Sequence, residues 1–526
     1  MGSNPIGVIL SANSGGKRGW GARSSVAFPP AWSRLRGLMK SHSSTVVVGM
    51  VVASLSGSAD AAIRYVDAAL ATGANNGTSW ADAFQGSAAV ATALAGSASG
   101  DQIWVKAGSY KPTLTTSRTL THTLKSGVGV YGGFAGTETA LADRNVTANV
   151  TTLTGDLTGN DNGTVTNMAE NSYHVVVGSS VPATAILDGF RIVGGYANGA
   201  TASNYDKGGG IIILTSGSPT VRNCNFVGNR CTFGGGAGYI YQAQATFTNC
   251  EFTDNVGGSY GGAFDTNATT VTWERCTFTN NQAARAGAIE SYGSSQTKIT
   301  NCVFRLNKAT SANSGGAVWA GTTSTVTVRN STFVQNSTTA TTGGGFYNTS
   351  GTSTLANCIF WGNYGSGSAT TNNQVTAAGG TNTVTYSVVQ NGLTGTGNTS
   401  VDPLFVSQSA GDLHLQITSS AIDAGSNTMI PAGVTTDRDG NARQVDITTV
   451  PDTGVGTAPI VDRGAFEVQP PPPPPCPPDL NADGTVDGLD MTEILSNWGG
   501  PGADINGDGI TDGIDLSSVL AGWGPC

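Results

Sequence analysis

The sequence predicts an all-β chain wound as a right-handed parallel β-helix, capped at both ends and followed by a small two-loop helical module. Three observations predict the coil. First, the phrase N-C-x-F-x-x-N recurs: its phenylalanine stands at Phe226, Phe252, Phe278, Phe304, Phe333 and Phe360, at intervals of 26, 26, 26, 29 and 27 residues. Asn229, Asn255, Asn281, Asn307, Asn336 and Asn363 keep step, and Cys224, Cys250, Cys276, Cys302, Ser331 and Cys358 precede each Phe by two. A fixed period of this size is the mark of a repeat architecture. Second, the repeats carry short alternating runs rich in Thr, Val and Ser, such as STVTVRNSTFV, and no 3.6-residue periodicity. Third, Gly and Asn punctuate every run, as turns with positive φ require. Short strands with sharp turns, repeated in step, place each residue over its own copy about 4.8 Å away in the next coil. Phe then stacks on Phe and Cys on Cys inside, while Asn amides bond along a turn.

From the N-terminus, residues 1–61 read as a signal region. The run STVVVGMVVASLSG precedes Ala59-Asp60-Ala61, an A-x-A cleavage pattern. It is too short to span a bilayer comfortably. Met39 opens a signal of ordinary length and is the expected true start. Residues 62–126 are expected to cap the solenoid, whose open terminal coil would otherwise expose an unpaired edge. The β-helix covers 127–390, irregular at first and regular from about 208. Residues 391–468 change character and read as the closing cap. Pro470–Pro475, within a linker at 469–478, form a stiff polyproline spacer of roughly 20 Å. Residues 479–526 form the last module.

Charge narrows the partners. The chain carries a formal −9, and residues 62–526 alone carry 19 basic against 33 acidic side chains, or −14. A nucleic-acid partner is therefore not expected, nor a membrane-spanning helix in the mature chain. Five of eight cysteines belong to the repeat column and are expected as buried thiols rather than disulfides, because in-register side chains seldom suit the disulfide dihedral. Cys476 and Cys526 flank the last module and are expected to pair in an oxidising compartment. Cys231 has no assigned role.

The strongest chemical motif is the pair DLNADGTVDGLD (479–490) and DINGDGITDGID (504–515). Ca²⁺ takes six to eight oxygens, and a twelve-residue loop supplies them from positions 1, 3, 5, 7, 9 and 12. Those positions hold Asp479, Asn481, Asp483, the Thr485 carbonyl, Asp487 and Asp490, then Asp504, Asn506, Asp508, the Ile510 carbonyl, Asp512 and Asp515. Gly484 and Gly509 stand at the turn. Two Ca²⁺ ions are expected.

In GGAFD, Phe264 should point inward and Asp265 outward. The matching outward column is Tyr239, Asp265, Glu290, Trp319 and Tyr347. Asp265 and Glu290 would lie one coil apart, about 5 Å, the separation of a retaining glycosidase pair. Aromatic faces suit sugar rings. The column reads as a catalytic site (Asp265, Glu290), as a sugar-binding surface (Tyr239, Trp319, Tyr347), or as ordinary residues on a polar face.

Several stretches resemble known families. The repeats resemble pectate-lyase-like β-helices, and the paired GGA[IVF] and FxxN phrases are similar to the repeat of polymorphic outer-membrane proteins. IRYVDAALATGANNGTSWADAF and GDQIWVKAGSYKPT resemble the N-terminal cap of exported β-helix proteins; DPLF, DLHL, SAIDAG, TDRDGNAR and VDRGAFE resemble the C-terminal portion of the same family. The final loops, with Asp at position 12 and one helix each, resemble a type I dockerin, from which they depart at Ile510-Thr511, in their WG endings and at Cys526. The resemblance implies a secreted or cell-surface protein, or one associated with an outer membrane, that contacts polysaccharide or another surface polymer. A cohesin-like or cell-surface partner would engage the last module. Read as an enzyme it is a polysaccharide lyase or glycoside hydrolase; read otherwise it is an adhesin or structural surface protein. No GxSxG, P-loop or zinc spacing occurs.

Overall fold

The computed structural model describes residues 61–162, 167–312, 314–339, 343–366, 374–470 and 476–526. The signal region before residue 61 and Pro471–Pro475 of the linker lie outside the described residues. The chain forms a right-handed parallel β-solenoid of about 10 turns, the hand that parallel crossovers take. Three parallel sheets of twelve, ten and nine strands run its length. One coil shows the plan: Phe264–Asn267 lies in the nine-stranded sheet, Thr270–Glu274 in the twelve-stranded and Thr277–Thr279 in the ten-stranded.

The repeat is legible in the register. Phe226, Phe252, Phe278, Phe304, Phe333 and Phe360 pair in succession along the ten-stranded sheet. Their rings stack at centroid distances of 5.2, 4.7, 4.6, 4.5 and 4.6 Å. All six are fully buried, each contributing roughly 2–3 kcal/mol by leaving water. The five column cysteines are buried and free, and so is Cys231. The Cys276 thiol donates to the Phe247 carbonyl of the preceding coil at 3.4 Å.

The asparagines form a buried ladder. Asn281 Nδ2 donates to the Phe252 carbonyl (2.8 Å) and to Asn307 Oδ1 (2.9 Å), while its Oδ1 accepts from the Asn255 amide (3.1 Å). The pattern repeats from Asn229 to Asn363, where Gln374 takes over. A second set, just before the Cys or Ser of each repeat, turns the corner between sheets with φ near +50° at Asn223, Asn249, Asn301, Asn330 and Asn357, and at Arg275 in the remaining coil. Asparagine is among the few residues that take that conformation readily.

Helix α1 (Ala89–Gly96) lies against the first coil, with Val90, Ala93 and Leu94 joining the core. At the other end the expected closing cap has two parts. Leu393 packs against the last coil's core, and Asn398 Nδ2 donates to the Val384 carbonyl. The rest folds back along the flank. Phe405, Leu413, Leu415 and Ile422 cover Val303, Val334 and Ile359 on the outer face of the ten-stranded sheet. Polar ties run along it: Asn301 Nδ2 to the Thr436 carbonyl (2.7 Å), Arg438 Nε to Thr277 Oγ1 (2.9 Å), and the Gly464 amide to the Asn357 carbonyl (2.8 Å). Among the described residues no helix is long and apolar enough to cross a membrane.

Candidate functional site

The structure brings the expected column together. Tyr239, Asp265, Glu290, Trp319 and Tyr347 are successive partners in the nine-stranded sheet. Phe264, Ile289, Val318 and Phe346, one residue earlier, point into the core. The column does not face solvent, which corrects the expectation of an open sugar-binding surface. Its members are 7, 5, 1, 5 and 3% exposed. The reason is a second layer. After the ten-stranded sheet each coil makes a short extra strand, as at Gln282–Ala283 and Lys308–Ala309, and then a glycine-rich turn. These turns roof the column: Gly234 lies against the Asp265 carboxylate, and Gly343 against the Tyr347 ring. Where these turns are glycine, neighbouring backbone leaves no room for a side chain; elsewhere they carry Tyr260, Arg285 and Ala286. A Cβ on Gly287 would lie 2.0 Å from the Gly316 carbonyl oxygen, and one on Gly316 2.0 Å from that of Gly344.

Beneath the roof the charges are matched. Arg285 grips Glu290 through both nitrogens, Nη2 to Oε1 and Nε to Oε2 (3.2 Å). Its guanidinium stacks on Trp319 at 4.1 Å and on Tyr260 at 4.3 Å. Burial raises the Glu290 carboxyl above its usual range, with Arg285 opposing. Burial, and next the Glu290 charge, push the Asp265 carboxyl well up. Burial likewise pushes the Cys231 thiol up to about 12, so it is an inert apolar filler.

An open groove of about 790 Å³ lies instead on the outer face of the ten-stranded sheet, on the coils that the C-terminal segment leaves uncovered. Arg191, Arg230, Asp156, Asp161, Asp254 and Gln282 line it. Neither guanidinium has an ion-pair partner among the described residues. The carboxylates of Asp156, Asp161 and Glu170 converge, with ligand oxygens within 4.8 Å of one another. Asp156 holds its own loop, accepting from the Gly159 (2.6 Å) and Asp161 (3.1 Å) amides. Asp161 Oδ1 and Asn171 Oδ1 are buried without a hydrogen-bond partner, while Asn171 Nδ2 donates to Asp161 Oδ2 at 2.8 Å. Burial, helped by Asp156 and Glu170, raises the Asp161 carboxyl. Sequence reasoning missed this groove: Asp156, Asp161 and Arg191 sit in irregular early coils, and Arg230 and Asp254, although in regular coils, have no charged counterpart repeated from coil to coil.

The C-terminal module places each loop before a helix, α2 (Gly488–Ser496) and α3 (Gly513–Ala521). Cys476 and Cys526 form a disulfide. The loops bend as an oxygen cage requires: Gly484 and Gly509 have φ of +89° and +96°. Asn481 and Asp483 accept from the amides of Asp483 and Thr485, as Asn506 and Asp508 do from those of Asp508 and Ile510. The last ligand of each loop is otherwise engaged. Asp490 accepts from the Leu480, Asn481 and Asp487 amides, and Asp515 from those of Ile505, Asn506 and Asp512. These bonds hold both carboxyls below the usual range, against burial. Among the described residues the acidic triads that converge within 4.8 Å lie outside the loops. The donor set and turns fit Ca²⁺; the carboxylates stand wider than a single ion's shell.

Comparison with known proteins agrees with the winding. Two overlapping segments, 156–333 and 266–401, match the family described as right handed beta helix region. Among solved structures the chain is similar to the crystal structure of pectate lyase Pel9A, at 15% identity and a TM-score of 0.39, over 78% of this chain and 98% of that one. No curated protein matches it in sequence.

Proposed function

We propose that this chain is an exported surface protein that binds an acidic polysaccharide in the groove over the ten-stranded sheet. The observation that carries this is the pair of unpartnered arginines, Arg191 and Arg230, in a groove also lined by Asp156 and Asp161, whose carboxylates converge with that of Glu170. A planar guanidinium is the natural partner of a uronate carboxylate. Ca²⁺ on the acidic triad would bridge the remaining polymer carboxylates, since hard oxygen donors suit it. Asp265 and Glu290 lie under the roof, and Glu290 is already ion-paired. We therefore read the pair as structural, and Tyr239, Trp319 and Tyr347 with it. Surface tethering falls to the C-terminal module, whose two loops would each hold one Ca²⁺ and present a cohesin-like or cell-surface partner with a folded face.

The test is binding of the full chain to polygalacturonate, alginate and a neutral glucan in Ca²⁺. R191A/R230A should lose at least tenfold in affinity for the acidic polymers, whereas D265N should not. Undiminished binding by R191A/R230A, or preference for the neutral polymer, sinks the proposal. Release of unsaturated oligosaccharides would extend the reading to a lyase; binding without products leaves an adhesin.

A further inference from the structure

The C-terminal segment that lies on the solenoid flank contains a buried carboxylate with nothing to hold. Asp423 is 0% exposed, and neither Oδ1 nor Oδ2 has a hydrogen-bond partner. The contrast with its neighbours is direct. Buried Asp462 accepts from the Asp423 and Val468 amides, at 2.7 Å each. Buried Glu467 accepts from the Val445 and Asp462 amides. Asp423 accepts no amide, although its backbone is well bonded: its carbonyl takes the Thr453 (2.9 Å) and Gly454 (3.0 Å) amides.

What Asp423 does face is more negative charge. The carboxylates of Asp446 and Asp452, both exposed, come from the 446–452 stretch and meet it with ligand oxygens within 4.8 Å of one another. No ion pair ties any of the three to a lysine, arginine or histidine among the described residues. Burying an unpaired charge is expensive, and like charges beside it make it more so. A single cation would satisfy all the oxygens together.

We propose that Asp423, Asp446 and Asp452 form a Ca²⁺ site that pins the 446–452 stretch to the flank segment. The donors are all carboxylate oxygens, with no nitrogen or sulfur, which selects a hard cation. Three oxygens no more than 4.8 Å apart lie within about 2.8 Å of a common point, close to the reach of one Ca²⁺ ion. Exposed Asp446 and Asp452 leave the outer hemisphere to water, which Ca²⁺ accommodates more freely than Mg²⁺ with its strict octahedron. The site is independent of the groove and of the C-terminal loops.

Equilibrium dialysis of the full chain against Ca²⁺ tests this by difference. D446N/D452N changes only exposed side chains and should bind one ion fewer than wild type. The midpoint of solenoid unfolding should rise with Ca²⁺ in wild type and rise less in this variant. D423N removes the uncompensated charge, so in chelator it should unfold at a higher temperature than wild type in chelator. Equal ion counts for D446N/D452N and wild type overturn the proposal. So does a D423N chain that, in chelator, unfolds no later than wild type. Retention of the difference with Mg²⁺ but not Ca²⁺ overturns the choice of ion.

Discussion

Asn281→Ala is expected to be costly out of proportion to its size. Its side chain is fully buried in the middle of the ladder and makes four hydrogen bonds to three residues. Truncation leaves the Asn255 backbone amide with no acceptor, since Asn281 Oδ1 is its bonded partner. An orphaned buried donor costs about 1–3 kcal/mol. The Phe252 carbonyl also loses the Nδ2 donor, about 1 kcal/mol more. Asn255 Nδ2 keeps the Phe226 carbonyl and Asn307 Oδ1 keeps the Asn281 amide, so they are weakened rather than stranded. The sum is about 3 kcal/mol. The control is Asn249→Gly, which loses two exposed bonds, to Asn223 and from Arg438, and keeps the positive φ. It should cost no more than about 0.5 kcal/mol. Urea unfolding followed by tryptophan fluorescence, with an unchanged slope, measures both. Amide exchange should speed at Asn255 and leave distant coils untouched, because each coil touches only its neighbours. Equal losses for the two variants, or less than about 1 kcal/mol for N281A, would refute the ladder as a source of stability.

Arg285→Ala strands the buried Glu290 carboxylate and should destabilise by about 3 kcal/mol, with R285M/E290Q recovering most of it in the same urea assay. His414 bridges Asp412 (2.7 Å) and Asp439 (2.9 Å), and although burial opposes, these bonds raise its pKa above the ordinary value. A raised histidine stabilises the fold below its unfolded pKa, and that contribution is lost as pH rises through the folded one. At 45% exposure it amounts to no more than about 1 kcal/mol; NMR titration of His414 moving to or below the ordinary value would contradict it. Cys526→Ser opens a link across a separation of 50 residues and should cost the C-terminal module about 4 kcal/mol, read as faster amide exchange in α2 and α3.

The coil was legible because stacking forces identity. Phe278 must fit Phe252 and Phe304, and Asn281 must bond Asn255 and Asn307, so the chain repeats them. The roof also left a trace, the glycines at 262, 287, 316 and 344, which the sequence shows only as a recurring phrase. Nothing in a Gly-Gly-Ala phrase says that its backbone lies over a neighbouring column, and so Asp265 and Glu290 were expected in solvent. The groove had little trace: Arg191 lies in an irregular early coil, and Arg230, just after a repeated phrase, has no arginine at the matching position of the next coil, where Val256 pairs with it. Asp423, Asp446 and Asp452 are separated by loops, and only the fold brings them together. The fold-back of the C-terminal segment was hidden for the same reason, since its apolar residues read equally well as the plug of an open end.

That fold-back sets a limit on growth. A stack of interchangeable coils can gain or lose members, because each one's upper surface fits any other's lower surface. Yet the C-terminal segment is fastened at Thr277, Asn301 and Asn357, three fixed rungs. An extra turn inserted between them would pull those fastenings out of step, whereas one inserted ahead of Asn249, the earliest rung that Arg438 reaches, would lengthen the uncovered groove and leave them intact. The segment works as a measuring rod for the distal coils and leaves the proximal number free to vary.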